Sequence, residues 1–438
     1  MTYNIFSSKA PKMPSLLKGT ECIKLLLSQA SKDMREPLVP MLFPVLSAHV
    51  SGCEFLYPDL TLKELCGQMA NLVADSGTNK SQLGYIVEAV CRSFRVHDEE
   101  QMQKLVAWQK QIKTRAANKE KPARPDVAFL FPPADATNPA FIQNAMGCEM
   151  QGGVTQFINM PEIEMADRLC GGHRQVSQML RNIYDRERAG ALRATAEGVT
   201  GNPVMRTNIT ISSTPIATKK FYKNELFNGT FGRMVFSYKP RTSRNGRIPR
   251  LGKYTDEFYA KLDVFIERLQ VSKGRFIIKQ LNKLIDRLAE DMAQMADLAD
   301  DDMLWDISKR ALVSAWKAGC VMWLLNNQTW TRAMGEMVEW LVYRDLWSKL
   351  QIFGDMLSAE KDIVVENRNN GPQNMLALLP DTFTITQLAA LRKESGKSED
   401  GTKRQLKVWK NRRLVDFDEA LGTYKKTEKF LNSSKSAN

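Results

Sequence analysis

Residues 74–81, Ala-Asp-Ser-Gly-Thr-Asn-Lys-Ser, constrain the fold more than any other stretch of the chain. They follow an apolar run from Met69 to Ala74 and precede a helical pattern from Gln82 to Phe94. Within that pattern Leu83, Ile86, Val87 and Val90 fall at i, i+3, i+4 and i+7, one face of a helix. A strand, a small-residue turn ending in Lys-Ser, and a helix make the layout of a phosphate-binding loop. Such a loop turns backbone N–H groups and a helix N-terminus toward anionic phosphate. Ser76, Gly77, Thr78, Asn79, Lys80 and Ser81 are therefore the candidate nucleotide-binding residues. Lys80 is placed to reach outer phosphates of ATP, and the Ser81 hydroxyl to hold Mg²⁺. The pattern asks for glycine where Ala74 and Asn79 stand. Asn is among the few side chains that tolerate a left-handed backbone, so Asn79 is admissible. The competing reading is a surface turn with a solvated lysine.

Composition narrows the partners. At 438 residues the chain has room for roughly two to four domains. With 43% hydrophobic and 25% charged residues it can bury cores and belongs with globular proteins. No apolar run approaches the length of a membrane span. The start, Met-Thr-Tyr-Asn-Ile-Phe, lacks a basic region followed by an apolar core, so no secretory signal is expected. Seven cysteines without a CxxC pair, and only three histidines, predict a cytoplasmic protein without a zinc site. The net charge of +13 favours a polyanion, nucleic acid foremost, although a generally basic surface gives the same number.

Taken in order, residues 1 to about 60 are expected to be a helical lead-in broken by Pro37, Pro40 and Pro44. Residues from about 61 to 250 are expected to form an α/β domain. Asp126–Phe131, Val154–Met160, Asn208–Pro215 and Phe231–Phe236 are its further strands. A polar helix from His97 to about Lys119 ends in a basic arm, 110–124, either solvated or lying along a nucleic-acid backbone. Gly171-Gly172 and a polar helix, Gln175–Arg188, lie between the second and third of these strands. Glu162 follows Met160 and Pro161, at the strand end where α/β sheets place ligands. A carboxylate there orients water or metal in nucleotide hydrolases, or simply favours a helix N-terminus. Residues 239–247 are a basic, turn-rich linker.

This succession resembles a family of bacterial P-loop proteins of formally unknown function, found on plasmids, phages and integrative elements beside primases and helicases. Its members look like RecA-type or superfamily-three replicative helicase ATPase cores. The pieces that carry the resemblance are Ala74–Ser81, Asp135-Ala-Thr137, Phe157–Glu162, Ile211–Ser213 and Asn228–Arg233, in the family's order over about 60–355. The resemblance implies ATP and Mg²⁺ as cofactors and Glu162 and Arg233 as catalytic residues. Ser212 or Ser213 would sense the γ-phosphate, and Arg233 would be the finger or sensor arginine, implying a homo-oligomer. The family's acidic pair falls on Pro161-Glu162, so its first acid is absent here. That departure, with the two replaced loop glycines, bears on hydrolysis more than on binding.

Residues from about 251 to 360 are helical, with Ile278, Leu281, Ile285, Leu288, Met292 and Met295 at spacings of three and four. Their Met and Trp residues are bundle core, and Asp297–Asp302 is a helix-to-helix connection rather than a metal site. A linker at about 361–372 leads to a compact module, 373–430. It comprises a short helix at Met375–Leu379, a helix at Thr384–Arg392 capped by Thr384, a polar turn, and a basic helix at Thr402–Arg413. Leu414–Phe417 and Gly422–Lys426 form a hairpin. This order resembles a winged helix-turn-helix, in which Lys403, Arg404, Lys407, Lys410, Arg412 and Arg413 would bind DNA. A protein-interaction module with a solvated basic face is the alternative.

The expected architecture is thus an α/β, RecA/AAA+-like P-loop core with a helical bundle and a C-terminal winged-helix-like module. The expected function is a DNA-associated, ATP-dependent, helicase-like protein in replication or mobilisation of a bacterial mobile element, partnered by DNA and by a primase or other replication proteins. The alternative is a non-catalytic DNA-binding adaptor with a degenerate nucleotide site.

Overall fold

The computed structural model describes residues 3–114, 121–166, 176–190, 198–223, 225–226, 229–241, 252–359 and 374–435. Gly171-Gly172, Asn228, part of the basic arm at 110–124, most of the linker at 239–247, and the linker at 361–372 lie outside them. The chain divides into two compact units, Pro14–Asn282 with Trp316–Glu336, and Met1–Met13 with Lys283–Ala315 and Met337–Asn438. The boundaries expected near 60 and 250 do not coincide with this division. No helix among the described residues is long and apolar enough to cross a membrane.

The first unit is built on a parallel sheet of β3 (Met69–Ala74), β4 (Gln156–Met160), β5 (Thr207–Ser213) and β6 (Val235–Lys239). A smaller sheet, ordered β2-β1-β7, joins β1 (Cys53–Leu56), β2 (Leu62–Lys63) and β7 (Gly274–Phe276). These three short strands were not expected; they are too brief to show alternation. The parallel sheet is ordered β4-β5-β3-β6. Its register sets Val73 beside Ser213 and Ala74 beside Lys239. Every residue of β3 and β5 is buried, as strands covered on both faces require.

One face is covered by the helix Lys32–Ser47, which runs unbroken through Pro37, Pro40 and Pro44. The expectation that these prolines break the chain is corrected. Twelve residues of the helix, from Met34 to Ser47, are buried, and this burial outweighs the lost N–H groups. Polar side chains of the sheet reach its carbonyls: Ser237 donates to Pro37 at 2.8 Å and Asn208 to Pro44 at 2.9 Å. Successive strand residues face opposite ways, so Phe236 points to the other face, where it meets Tyr222 at 5.1 Å and Phe231 at 5.5 Å.

Two expected strands differ. Asp126–Phe131 is not a strand. Side chains take its backbone: Asn144 accepts from Phe129 N, and the Asp98 carboxylate accepts from Leu130 N and Phe131 N, all at 2.7 Å. A single bond, Phe157 N to Leu130 O at 2.8 Å, holds it to β4. The strand expected at Phe231–Phe236 begins later. Gly229, at φ 85°, starts a helical turn over Thr230–Arg233, and β6 begins at Val235.

The second unit contains residues 283–315 and 337–359 of the helices Lys279–Ala299, Asp302–Leu325 and Arg332–Ala359. Trp340 and Trp347 are fully buried, as core positions. Their indole N–H groups donate to the carbonyls of Pro11 and Ser7, both at 2.9 Å. The expected connection Asp297–Asp302 is shorter than that: Asp297–Ala299 end the first helix, Asp300 and Asp301 connect, and Asp301 Oδ1 caps the second helix by accepting from Leu304 N at 2.9 Å.

The C-terminal part of this unit runs Met375–Leu378 (helix), β8 (Thr382–Phe383), Ile385–Glu394 (helix), Thr402–Asn411 (helix), β9 (Val415–Asp418), β10 (Thr423–Lys426) and Glu428–Lys435 (helix). The three strands form an antiparallel sheet ordered β8-β10-β9. Thr384 starts its helix with a capping box, accepting from Gln387 N at 3.2 Å while Gln387 Oε1 accepts from Thr384 N at 2.8 Å. Leu376, Phe383, Leu388, Leu406, Trp409 and Leu414 share one apolar core.

Candidate nucleotide site and candidate nucleic-acid interface

All four strands of the parallel sheet run the same way, so their C-terminal ends share one edge. That edge carries the loop after β3, the end of β5 at Ser213, Glu162 after β4, and Lys239 at the end of β6. The loop conforms to what its residues permit. Gly77 and Asn79 both take left-handed backbone, at φ 74° and 60°. A side chain added at Gly77 would meet nothing within 4 Å. Gln82 begins the following helix, which ends at Val90.

Lys80 lies over its own loop. Its ammonium donates to the carbonyls of Ala74 at 2.7 Å and Asp75 at 2.9 Å. The Thr78 hydroxyl also donates to Asp75 O, at 2.6 Å. Among the described residues, no backbone N–H from Ser76 to Ser81 finds an acceptor. Ser81 is exposed, and its hydroxyl makes no capping bond. Burial pushes the Lys80 ammonium below its ordinary pKa, and the nearby Asp75 carboxylate opposes that shift. The result is a turn with unused donors and a cation held by two carbonyls.

The other sequence candidates fall into three groups. Ser213 lies beside Val73, but its hydroxyl is engaged with Asn71 at 2.8 Å and Thr218 at 2.6 Å. Ser212 points to the opposite face. Glu162 is exposed in the turn after β4, on the same edge as the loop, with β5 between the two strands. Arg233 is not brought to this edge. It precedes β6, whose Val235 pairs with Ala70 at the start of β3, so it lies about 15–20 Å from the loop along the strands. There its guanidinium binds Asp185 at 2.5 Å and the Gly229 carbonyl at 2.9 Å.

Sequence reasoning missed Lys239 and Asp33. Lys239 was assigned to a basic linker, yet it ends β6, is buried, and pairs with Asp33 at 2.6 Å. Burial works to raise the Asp33 carboxyl, but hydrogen bonds from Lys239 and Ser31 hold it below the usual range. The available signal was a lysine closing a strand-like run just before a proline.

No protein-family model matches the chain, and no curated protein matches its sequence.

In the other unit, the helix Thr402–Asn411 presents three faces. Thr402, Gln405, Leu406 and Trp409 are buried. Lys403, Arg404, Lys407 and Lys410 are exposed. Arg404 and Arg412 also line a cavity of about 280 Å³, together with Asp297, Asp300, Asp302 and Trp305. Arg412 is ion-paired with Asp297. Arg413 is exposed at the helix end, in left-handed backbone at φ 56°. The six expected DNA-binding cations are therefore not equivalent, because Arg412 is paired with a carboxylate of the same chain. Beside the exposed face, Lys410 sits 5.9 Å from the ring of Phe417 in the β9–β10 hairpin.

Proposed function

We propose that this chain is a DNA-associated nucleotide-binding protein. Its parallel-sheet unit is a P-loop core of the RecA or AAA+ kind, and its C-terminal module is a winged helix-turn-helix. The observation that carries this reading is the loop Asp75–Ser81. It leaves the C-terminal end of an interior parallel strand, where α/β sheets bind ligands, with donors unused and Lys80 resting on its own carbonyls. ATP phosphates would lie against the amides of Ser76–Ser81 and Lys80, and Ser81 would contribute its hydroxyl to Mg²⁺. The metal would neutralise charge between outer phosphates. The order of helices and strands from Met375 to Lys426 supports the winged-helix reading, in which Lys403, Lys407 and Lys410 would meet DNA phosphates. Work on DNA in replication or mobilisation of a mobile element, beside a primase, is the biological setting this reading suggests. The test is a thermal-shift titration with ATP, with and without Mg²⁺, on the intact chain and on Lys80→Ala. Stabilisation lost in the variant supports the site; equal stabilisation ends it.

Two observations favour the second reading, a DNA-binding adaptor that binds nucleotide without turnover. Arg233 is held by Asp185 at the far edge of the sheet, and Pro161 stands where the resemblance asks for an acid. Binding without DNA-stimulated phosphate release would select the adaptor.

A further inference from the structure

We propose that Lys239 is a second phosphate-binding lysine, that it selects for the outermost phosphate, and that Asp33 is the counter-ion this phosphate displaces. The proposal rests on the nucleotide reading above.

Lys239 is the last residue of β6, and its register partner is Ala74. Ala74 is also the residue whose carbonyl holds the Lys80 ammonium. Two lysines therefore leave the backbone near the end of one strand, one from the loop and one from the neighbouring strand. The Lys239 side chain is only 5% exposed, and its partner Asp33 is 37% exposed. A buried ammonium needs an anion beside it, and Asp33 supplies one from a position open to solvent.

Asp33 belongs to the first turn of the helix Lys32–Ser47. That turn is tied to the loop from a second direction. Gln82, the first helical residue after the loop, accepts from Ser31 N at 3.0 Å and donates to Ser31 Oγ at 2.9 Å. The start of the helix is thus pinned between the loop exit and the end of β6. A phosphate chain seated on Lys80 and the loop amides brings its outer end toward this corner. A phosphate carries more charge and more acceptor oxygens than a carboxylate, so it competes for Lys239 while Asp33 is released to water. A diphosphate, one group shorter, leaves the Asp33–Lys239 pair in place.

The test is calorimetric titration of the full chain with ATP and with ADP, both with Mg²⁺, in four forms: unaltered, Lys80→Ala, Lys239→Met and Asp33→Asn. Lys239→Met should weaken ATP roughly tenfold or more, the loss of one charge-assisted contact, and leave ADP nearly unchanged. Asp33→Asn should tighten ATP, because the competitor is gone. These opposite signs separate the proposal from a merely structural ion pair. Should either single variant unfold, the double variant Asp33→Asn/Lys239→Met removes both charges together and should bind ATP and ADP alike. If Lys80→Ala binds neither nucleotide while Lys239→Met, or the double variant, keeps the unaltered preference for ATP, the proposal is overturned and the site stands. If Lys80→Ala binds like the unaltered chain, the nucleotide reading itself fails, and this proposal with it.

Discussion

Arg412 and Asp297 form an ion pair that ties the end of the basic helix Thr402–Asn411 to the last turn of the helix Lys279–Ala299. The pair neutralises one of six neighbouring cations, while Arg404, which lines the same cavity, is exposed. Charge counted along the sequence therefore overstates what nucleic acid can reach.

This division predicts how DNA binding responds to salt. Replacing Lys403, Lys407 and Lys410 with Ala should weaken binding and flatten the log–log salt slope by about three units, if all three touch duplex phosphates. Arg412→Ala should leave the slope unchanged and lower the melting temperature, since it strands Asp297. Affinity measured against salt for both variants distinguishes the two kinds of cation. If the triple lysine variant keeps the original slope, the module meets a protein rather than DNA.

At the loop, Lys80→Ala should abolish stabilisation by ATP. The unaltered chain at about 100 times its Kd should gain about 2.7 kcal/mol, and the variant almost none. Replacing Lys80 with Arg is a stricter test, because a planar fork does not fit a position built for one ammonium between two carbonyls. Arg at this position should also lose most of the stabilisation.

Any hydrolysis should depend on Glu162 from the same chain and on Arg233 from a neighbour, given where β6 leaves Arg233. Glu162→Gln should keep nucleotide binding and lower turnover on the order of 10²-fold or more. Mixing Lys80→Ala with Arg233→Ala protein should restore part of the turnover through composite sites. No recovery, with exchange between oligomers verified, would make Arg233 the structural partner of Asp185 and nothing more.

His49 gives the sheet unit a pH dependence. It is buried, stacks on Phe94 at a centroid distance of 4.1 Å, and burial holds its pKa down to about 3. The folded-state value lies below the unfolded one of about 6.5, so the unfolded chain takes up the proton first. The associated stability is present above about pH 6.5 and is lost as pH falls toward 3. Between pH 6.5 and 5 the slope should approach about 1.4 kcal/mol per pH unit. Denaturant unfolding of His49→Gln should show a flatter profile over that range.

Three strands of the central sheet, β3, β4 and β5, were legible as short stretches of apolar and β-branched residues bounded by turn residues, and they fall within two residues of their expected limits, whereas β6 begins four residues later than expected. The capped helix after Thr384 and the hairpin after Leu414 were legible for the same local reasons. What was not legible depended on partners distant in sequence. The proline-containing helix is stabilised by a sheet that only the folded chain provides. Asp126–Phe131 has a strand's composition, but Asp98 and Asn144 occupy its amides. Lys239 lies 206 residues from Asp33, and no local pattern links them. Within the candidate site, loop chemistry was readable from eight consecutive residues, whereas the corner formed by Asp33, Gln82 and Lys239 appears only after folding.

Asn79 carries a further consequence. It holds a left-handed turn that the loop pattern normally entrusts to glycine. A residue with a Cβ has fewer backbone states available in the unfolded chain and in a fluctuating loop than glycine has. The loop thus arrives at its ligand already narrowed toward one shape, and less disorder is surrendered when phosphate docks. Asn79→Gly would restore the common sequence while making the loop looser, so the familiar residue would be the weaker choice here.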